Sequence, residues 1–523
     1  MARELTAILL ETRSIQKYVF GCNQLKTNTG ASFLVDNIFT GVMQEVLQNN
    51  GLKMPVRDWR AIEGVEIAAN EELEAEIAFI GGGNMLILLR KDEEYCKDIV
   101  RQWSREVLLR APGLKTGAVI DKLDLDDFNN KFSAMRNKLK EYQNNIQPQV
   151  DFPYTGLTLE CPYTGKAADF YDSAAQDGLF WHSSEYEAKE MALKNAKDVM
   201  QDHCRPVLSN LEFSNDINEI GYIKGEKSYI CVIHIDGNNM GKKFSDCADL
   251  PSRKQKSIKV SGIIKEGFAK LVDSIVAEYK AGVYDKYLDE ALSKLPIRPI
   301  ILGGDDITFV CPGRVGLQYA ARLMDFLSED AADRFTCCAG VAIVPAKYPF
   351  FRAYQLAEQL CDEAKKRSRV QDDNYLDFAV LHGEIFGSLE QLREKQYQLG
   401  KYKLHYGPYR LTSSDVDKHS LESLFALHKQ LYSRLGKSQN KLKKLRSALL
   451  SGLHKQEILL KNSEELQQLL RDSNNKAAAA AHDFWEAAGD DWFVTRYMDA
   501  IEIDDFVYEE QETLQNEKDE NRD

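Results

Sequence analysis

The chain has 523 residues, of which 44% are hydrophobic and 28% charged, and its formal net charge is −14 with a pI of about 5.3. This length predicts several domains. The acidic balance argues against a general nucleic-acid-binding protein, although a local basic groove is compatible with it. The ten cysteines show no dense disulfide pattern, and we expect neither a signal peptide nor a membrane span, since no apolar run approaches ~20 residues. A cytoplasmic protein fits these properties.

Residues 1–120 are predicted to form one unit with the order strand, helix, hairpin, helix, strand. The predicted elements are a buried strand at 5–10 ending at Glu11, helices at about 31–49 and 92–110, two hairpin strands within 76–90, and a strand at 115–120. The hairpin turns at Gly81-Gly82-Gly83-Asn84, a run that is typical of a tight turn.

Residues 121–220 are predicted to be a turn-rich connector with a helix at about 184–201. Cys161 begins the turn Cys161-Pro162-Tyr163-Thr164-Gly165-Lys166, and His182, His203 and Cys204 follow at irregular distances. A structural zinc site normally has four ligands at regular spacing. We therefore do not expect zinc here.

Residues 221–390 repeat the element order of the first unit. The predicted elements are a strand ending at Asp236, a helical stretch at about 252–293, a hairpin turning at Gly303-Gly304-Asp305-Asp306, a helix at about 315–330 and a strand at 335–344. The spacings agree, since Glu11 to Gly81 is 70 residues and Asp236 to Gly303 is 67, while Asn84 to Gly117 is 33 and Asp306 to Gly340 is 34. The sequence therefore predicts an α+β fold with a duplicated ferredoxin-like βαββαβ unit.

Residues 391–523 are predicted to form a small helical domain with an acidic tail. Leucines recur at helical spacing at Leu421, Leu424, Leu427, Leu431 and Leu435 and at Leu459, Leu460, Leu466, Leu469 and Leu470. The basic stretch from Lys437 to Arg446 is interpreted as a solvated helix face, with contact to RNA or an acidic partner as the alternative.

Three carboxylates stand where core strands end. Asp236 follows an apolar strand, and Asp305-Asp306 lie between two others. Carboxylates are costly to bury unpaired, and their commonest explanation here is a divalent metal that serves phosphoryl or nucleotidyl transfer. We predict Asp236, Asp305, Asp306 and the backbone carbonyl of Gly237 as metal ligands. In the first unit Gly83-Asn84 stand at the place of Asp305-Asp306, so that unit is predicted to be catalytically silent.

Five stretches resemble a known family, the large subunit of type III CRISPR effector complexes. The run Gly303-Gly304-Asp305-Asp306 resembles the signature of nucleotidyltransferase and cyclase palm domains. The stretch Ile235–Gly241 resembles that subunit's first-strand motif, and 339–366 resembles the strand and helix that follow its acidic turn. The first unit, with Gly81-Gly82-Gly83, resembles its non-catalytic palm. Finally, Cys161-Pro162-Tyr163-Thr164-Gly165 resembles its zinc knuckle with the second cysteine replaced by Thr164.

The resemblance implies two palm domains, at 1–120 and 221–390, and an enzyme that makes cyclic oligoadenylate second messengers from ATP in antiviral defence. It implies catalytic roles for Asp236, Asp305 and Asp306, with Mg²⁺ or Mn²⁺ as the cofactor. It implies nucleotide contacts from Gly303, Gly304, Asn238, Lys365 and Lys366. Guide or target RNA and other subunits of an effector complex are the partners it suggests.

Two departures from the family pattern are visible. Asn238 stands where many relatives carry a second acidic residue, which weakens the expected metal shell. No His-Asp pair precedes the first unit, so DNase activity is not expected. The alternatives are a non-catalytic scaffold subunit of an RNA-guided complex and a cyclic-dinucleotide cyclase.

Overall fold

The computed structural model describes residues 4–22, 24–145, 158–173, 181–208, 211–214, 220, 228–284, 294–329, 334–383, 387–411, 417–435, 439–474, 479–489 and 491–507. The strands are β1 Glu4–Arg13, β2 Ala75–Gly81, β3 Asn84–Leu89, β4 Lys115–Asp124, β5 Phe170–Tyr171, β6 Trp181–His182, β7 Glu212–Phe213, β8 Tyr229–Gly237, β9 Lys294–Leu295, β10 Arg298–Gly303, β11 Asp306–Pro312, β12 Cys337–Pro345, β13 Tyr375–Val380, β14 Gln398–Leu399, β15 Tyr402–Lys403, β16 Tyr409–Arg410, β17 Glu486–Ala487 and β18 Phe493–Val494.

The α-helices are α1 Ile15–Val19, α2 Leu25–Asn37, α3 Gln44–Asn49, α4 Glu66–Ala69, α5 Glu93–Arg110, α6 Phe128–Asn145, α7 Ser184–Leu208, α8 Met240–Ser245, α9 Leu250–Lys280, α10 Gly316–Leu327, α11 Phe350–Ser368, α12 Leu389–Gln396, α13 Leu421–Arg434, α14 Gln439–Leu449, α15 Leu453–Lys461, α16 Glu464–Asn474 and α17 Tyr497–Glu502. A π-helical segment at Ile38–Met43 joins α2 to α3, and 3₁₀ turns lie at Trp59–Ala61, Gly313–Val315, Ala481–Phe484 and Asp504–Phe506. None of the helices in the described ranges is both long and apolar enough to cross a membrane.

The chain contains the same sheet twice, which confirms the predicted α+β palm architecture. The first sheet has the order β2-β3-β1-β4, and the second begins with the matching order β10-β11-β8-β12. In both, the first strand of the unit lies between two antiparallel neighbours. This order is that of a ferredoxin-like βαββαβ unit.

Small irregularities recur in both sheets and show how closely the copies correspond. A register shift interrupts the pairing of β2 between Ile77 and Phe79, and one interrupts β10 between Pro299 and Ile301, in each case just before the glycine turn. Ser14 follows β1 and Asn239 follows β8, the first strands of the two units. Both residues have a left-handed backbone conformation, with φ of 52° and 57° respectively. Ser14 and Asn239 are 225 positions apart (239 − 14), as are Glu11 and Asp236 (236 − 11).

One predicted correspondence is wrong by two residues. We matched Gly117 with Gly340, but Gly117 pairs with Glu11 whereas Gly340 pairs with His234. The residue opposite Asp236 is Cys338. Because side chains alternate between the faces of a strand, the two-residue shift leaves both glycines on the same face.

The two units contact each other in a reciprocal manner. Helix α2 of the first unit packs on β10, and α9 of the second packs on β2. A Cβ added at Gly304 would lie 3.3 Å from the Cα of Gly82, its counterpart in the other turn. Phe20 stacks on Tyr354 at 3.8 Å, and in return the guanidinium of Arg253 lies 4.7 Å from the ring centre of Phe132. The arrangement is that of an isologous dimer within one chain.

Both units carry elements in addition to the predicted βαββαβ order. After β4, helix α6 packs on that strand, and the second sheet adds β13, parallel to β12, and then β16. The strand β16 belongs to the region expected to be a separate helical domain. That region also contains a small sheet in the order β14-β15-β18-β17. Its predicted leucines are buried or half-buried against the common core, as the helical spacing requires.

In the C-terminal region, residues Ala481–Phe484 form a short 3₁₀ turn. Lys437 and the acidic tail from Glu509 lie outside the described residues.

Candidate functional site

The antiparallel pairing of β8 and β11 brings the predicted carboxylates together. Asp236 and Asp306 are direct partners across this ladder, and the backbone N–H of Gly237 donates to the carbonyl of Asp305 over 3.1 Å. The turn between β10 and β11 closes through Gly304, whose φ of 65° favours glycine. The three carboxylates therefore lie together at one end of the strands, where β8 ends and the hairpin between β10 and β11 turns. We call this place the acidic edge.

A lysine and a histidine side chain flank these carboxylates. The ammonium of Lys365, near the end of α11, forms an ion pair with Oδ2 of Asp236. Nδ1 of the buried His234 lies 3.2 Å from Oδ1 of Asp306 and 3.2 Å from Oγ1 of Thr308. His234 is a residue that sequence reasoning missed, because it reads as part of an apolar strand. Its position two residues before Asp236, on the same face of β8, was the available signal.

Burial and crowding of like charges shift the protonation equilibria at this edge. Burial, together with the charges of Asp236 and Asp306, raises the pKa of Asp305 to about 6. Burial also raises the pKa of Asp236, although Lys365 opposes that shift. Burial lowers the pKa of Lys365, but the Asp236 carboxylate more than compensates and the net shift is upward. A group of acids that resist ionisation together is typical of a site that binds a cation.

The remaining predicted residues are less closely engaged. Asn238 is buried, and its amide donates to the backbone carbonyl of Asp373 over 3.2 Å. Lys366 is exposed and pairs with Glu363 at 2.6 Å, so it is not brought to the carboxylates. Gly303 leaves open space at the turn, with no atom within 4 Å of an added Cβ. Of the two predicted lysines, Lys365 alone touches the carboxylates.

The donor set fits a hard divalent ion, because it consists of carboxylate oxygens and the neighbouring carbonyl of Gly237. In the described part of the chain, no three His, Cys, Asp or Glu side chains already have the spacing of a metal cage. Asp236 is instead turned towards Lys365. Metal binding would therefore require Asp236 to exchange its ammonium partner for the ion.

The first sheet carries a neutralised counterpart of this site. Glu11 pairs with Asn84 across β1 and β3, as Asp236 pairs with Asp306. Nε2 of Gln143, near the end of α6, donates to Oε2 of Glu11 over 2.7 Å. Gln143 thus takes the place that Lys365 has beside Asp236. The first unit keeps the geometry, but it has one carboxylate where the second has three.

The connector does not gather the cysteine and histidine side chains that were weighed as zinc ligands. Cys161 is buried in a small cluster with Cys22 and Tyr186, whereas Cys204 belongs to the main core. Nε2 of His182 lies 2.8 Å from a carboxylate oxygen of Glu187. Nothing is described of the side chain of His203.

The duplicated fold and the carboxylates at the end of β8 and in the following hairpin define a class of protein. It is a duplicated palm-domain protein with an acidic turn in its second copy. Residues 229–373 match the family model of the Cas10/Cmr2 second palm domain. This match confirms the predicted resemblance for the second unit, which is a Cas10-like large-subunit palm. None of the curated proteins compared with the chain matches it.

Solved structures of Csm1–Csm4 cassettes are similar to this chain. One is a chain in the crystal structure of a Csm1–Csm4 cassette in complex with pppApApA. The alignment covers 96% of the present chain and 70% of that chain, with a TM-score of 0.50 and 12% sequence identity. The apo Csm1–Csm4 cassette aligns with 73% of this chain at 15% identity, with a TM-score of 0.43. The present chain spans about half of that apo chain (54%). At these identities the likeness concerns the fold.

Proposed function

We propose that the chain is a metal-dependent nucleotidyltransferase that converts ATP into cyclic oligoadenylate-type second messengers in a type III CRISPR-like antiviral defence. The observation that carries this proposal is the direct pairing of Asp236 with Asp306, next to Asp305, in a unit that matches the Cas10/Cmr2 second palm. Structures similar in fold are described as complexes with ATP, with pppApApA and with cA3.

Asp236, Asp305, Asp306 and the carbonyl of Gly237 would hold Mg²⁺ or Mn²⁺. When bound, such an ion lowers the pKa of an attacking hydroxyl and stabilises the charge on a transferring phosphoryl group. The raised pKa of Asp305 supports this assignment, because a cation between the carboxylates removes the repulsion that raises it.

Lys365 and the glycines have separate roles in this proposal. The ammonium of Lys365 neutralises Asp236 before the nucleotide arrives, and it is close enough to the carboxylates to donate to a phosphate oxygen afterwards. Gly303 and Gly304 carry no Cβ, so the turn leaves space for a nucleotide to approach the backbone. The buried Asn238 holds the β8–α8 loop through Asp373 and contributes no charge to the site.

The test is the reaction itself. Pure protein is incubated with ATP and Mg²⁺ or Mn²⁺, with and without guide and target RNA, and the products are separated by mass. The proposal expects cyclic adenylates with 3′-linked phosphodiesters and released pyrophosphate. The absence of any phosphodiester product under all these conditions would refute it.

A scaffold role is the second candidate, and Asn238 favours it because it removes one expected acidic ligand. Two similar structures are those of a Csm1–Csm4 cassette and of a Csm1–Csm4 subcomplex in the type III-A CRISPR-Csm interference complex. We propose by analogy that this chain also assembles with further subunits and RNA. Co-purification from its native host tests the assembly separately from the enzymatic activity.

A further inference from the structure

Three polar side chains lie buried behind the acidic edge, and we call them the polar triad: His234, Thr308 and Tyr354. His234 and Thr308 are direct partners across β8 and β11, two positions along each strand from the paired aspartates. Because side chains alternate between the faces of a strand, this pair shares a face of the sheet with those aspartates. Helix α11 packs on β8 and supplies Tyr354, whose ring centre lies 5.6 Å from that of His234 with an angle of 80° between the rings.

In the first unit, a pair of leucines stands where the second unit has His234 and Thr308. Leu9 lies two residues before the acid that ends its strand, as His234 does, and it pairs with Leu86 across β1 and β3. Both leucines are buried, as are the two polar residues. The same place in the sheet is therefore apolar beside a single carboxylate and polar beside three.

The third member of the polar triad also has an apolar counterpart. Tyr354 stands 11 residues before Lys365 in α11 (365 − 354), and Phe132 stands 11 residues before Gln143 in α6 (143 − 132). Lys365 and Gln143 are the side chains that contact the acids of the first strands, so Phe132 corresponds to Tyr354. Phe20 of the first unit stacks on Tyr354 with ring centres 3.8 Å apart, which fixes the tyrosine ring from the side of the silent unit.

The contacts of the polar triad lead to one carboxylate of the acidic turn. Nδ1 of His234 lies 3.2 Å from Oγ1 of Thr308 and 3.2 Å from Oδ1 of Asp306, an oxygen that is itself buried. Burying an imidazole and a hydroxyl costs free energy that leucine side chains do not cost. The first unit shows that the fold does not need polar residues at these places. In this chain they occur in the unit that has the acidic turn.

We propose that His234 is a positioning residue for Asp306, and that Thr308 and Tyr354 fix the orientation of its ring. The inference rests on the proposed function, in which Asp306 is a ligand of the metal. With a proton on Nδ1, the imidazole donates to Oδ1 of Asp306 and leaves Oδ2 for the ion. A carboxylate held in this way loses less rotational freedom when it binds a metal, and such supporting contacts are worth about 10- to 100-fold in metal affinity.

The experiment measures binding of Mn²⁺ alone, at one fixed pH, from the loss of the electron paramagnetic resonance signal of the free ion. His234→Leu copies the first unit, so it should bind Mn²⁺ about 10-fold more weakly than wild type, while its thermal midpoint stays equal or rises. Val232→Ala is the matched control, because Val232 is buried on the same face of β8, two residues farther from the acidic edge. This control should lower the thermal midpoint through the cavity it creates and should bind Mn²⁺ like wild type.

Two further variants decide the question even if the leucine variant fails to fold. An asparagine side chain places its amide N–H near the position of Nδ1 of histidine, whereas a glutamine side chain places it near Nε2. His234→Asn should therefore bind Mn²⁺ more tightly than His234→Gln, which should resemble the leucine variant. A contribution to the fold alone would not distinguish the two amides in this way. Equal binding of Mn²⁺ by the two amide variants would overturn the inference.

The outcomes separate this inference from the proposed function. Weaker binding of Mn²⁺ by His234→Leu and His234→Gln supports the positioning role even if no adenylate product is ever found. Equal or tighter binding by these variants overturns it, as does the absence of Mn²⁺ binding by wild type. In a protein that makes the product, His234→Leu should need about 10-fold more Mn²⁺ for half the maximal rate and should recover at excess Mn²⁺. An unchanged requirement for Mn²⁺ overturns the positioning role and leaves the proposed function intact.

Discussion

The two palm units share a fold and a register but differ at the residues that matter for chemistry. Both have a bulge before a glycine turn and a left-handed residue after the first strand. The first unit has Glu11, Asn84 and Gln143 where the second has Asp236, Asp306 and Lys365. The difference teaches that geometry alone does not make this site. On the proposed function, the site also needs clustered carboxylates and a cation that can be displaced.

The largest expected effect concerns the acidic turn. The Asp305→Asn, Asp306→Asn double variant should lose about 10³-fold in adenylate formation, since the charge stabilisation provided by a bound metal is worth several kcal/mol. Product quantified by mass spectrometry is the measurement. The matched change in the first unit is Asn84→Ala, which should leave the rate unchanged; a comparable loss there would mean that the first unit is not silent.

The second prediction compares two glycines in the last strand of each unit. A Cβ at Gly340 would lie 1.8 Å from the carbonyl oxygen of Ala357 in α11, whereas one at Gly117 would lie 2.8 Å from the mobile end of Gln143. Gly340→Ala should therefore cost about 3 kcal/mol of stability and Gly117→Ala much less. Urea denaturation followed by circular dichroism measures both. Equal midpoints would show that α11 shifts freely on the sheet.

The third prediction exchanges the residues beside the first-strand acids. Lys365→Gln removes a charge-assisted contact worth about 2 kcal/mol, so turnover of ATP should fall by roughly 30-fold. Gln143→Lys should give the first unit an ion pair with Glu11 without creating activity there. The Gln143→Lys change is tested in a protein that also carries Asp305→Asn and Asp306→Asn, so that the second unit is inactive. Any product from that combination would contradict the asymmetry.

The smallest expected effect is a pH-dependent gain in stability. The pKa of Asp305 is about 6 in the folded protein, against an ordinary value of 3.8. Between pH 3.8 and pH 6 the folded state therefore binds more protons than the unfolded state. The stability of the folded protein falls as the pH rises through this range. In metal-free protein, Asp305→Asn should therefore stabilise by about 1–2 kcal/mol above pH 6 and have no effect below pH 4. Thermal unfolding across this pH range tests it, and a gain that persists at low pH would assign it to another cause.

Much of this asymmetry could be predicted from the sequence. Apolar runs ending at Glu11 and Asp236, and two glycine turns at similar distances, sufficed to predict the duplication. The pairing of Asp236 with Asp306 follows from that fold. The mismatch of Gly117 with Gly340 arose because spacing was counted along the chain, and the strand register that shows Cys338 as the true counterpart of Gly117 cannot be read from spacing.

Other parts of the site depend on contacts between distant segments. His234 reads as a strand residue, and its proximity to Asp306 appears only when β8 and β11 pair. Lys365 and Lys366 are equivalent in sequence, but helix α11 turns the first towards Asp236 and the second towards solvent.

The close approach of Gly82 and Gly304 has a consequence for how such a protein can evolve. Two identical subunits meeting at these turns would carry every substitution twice, and they would separate on dilution. Joined in one chain, the partners stay together at any concentration. Each half is then free to diverge alone, so that one has Asp305 and Asp306 at its turn while the other has Gly83 and Asn84 there.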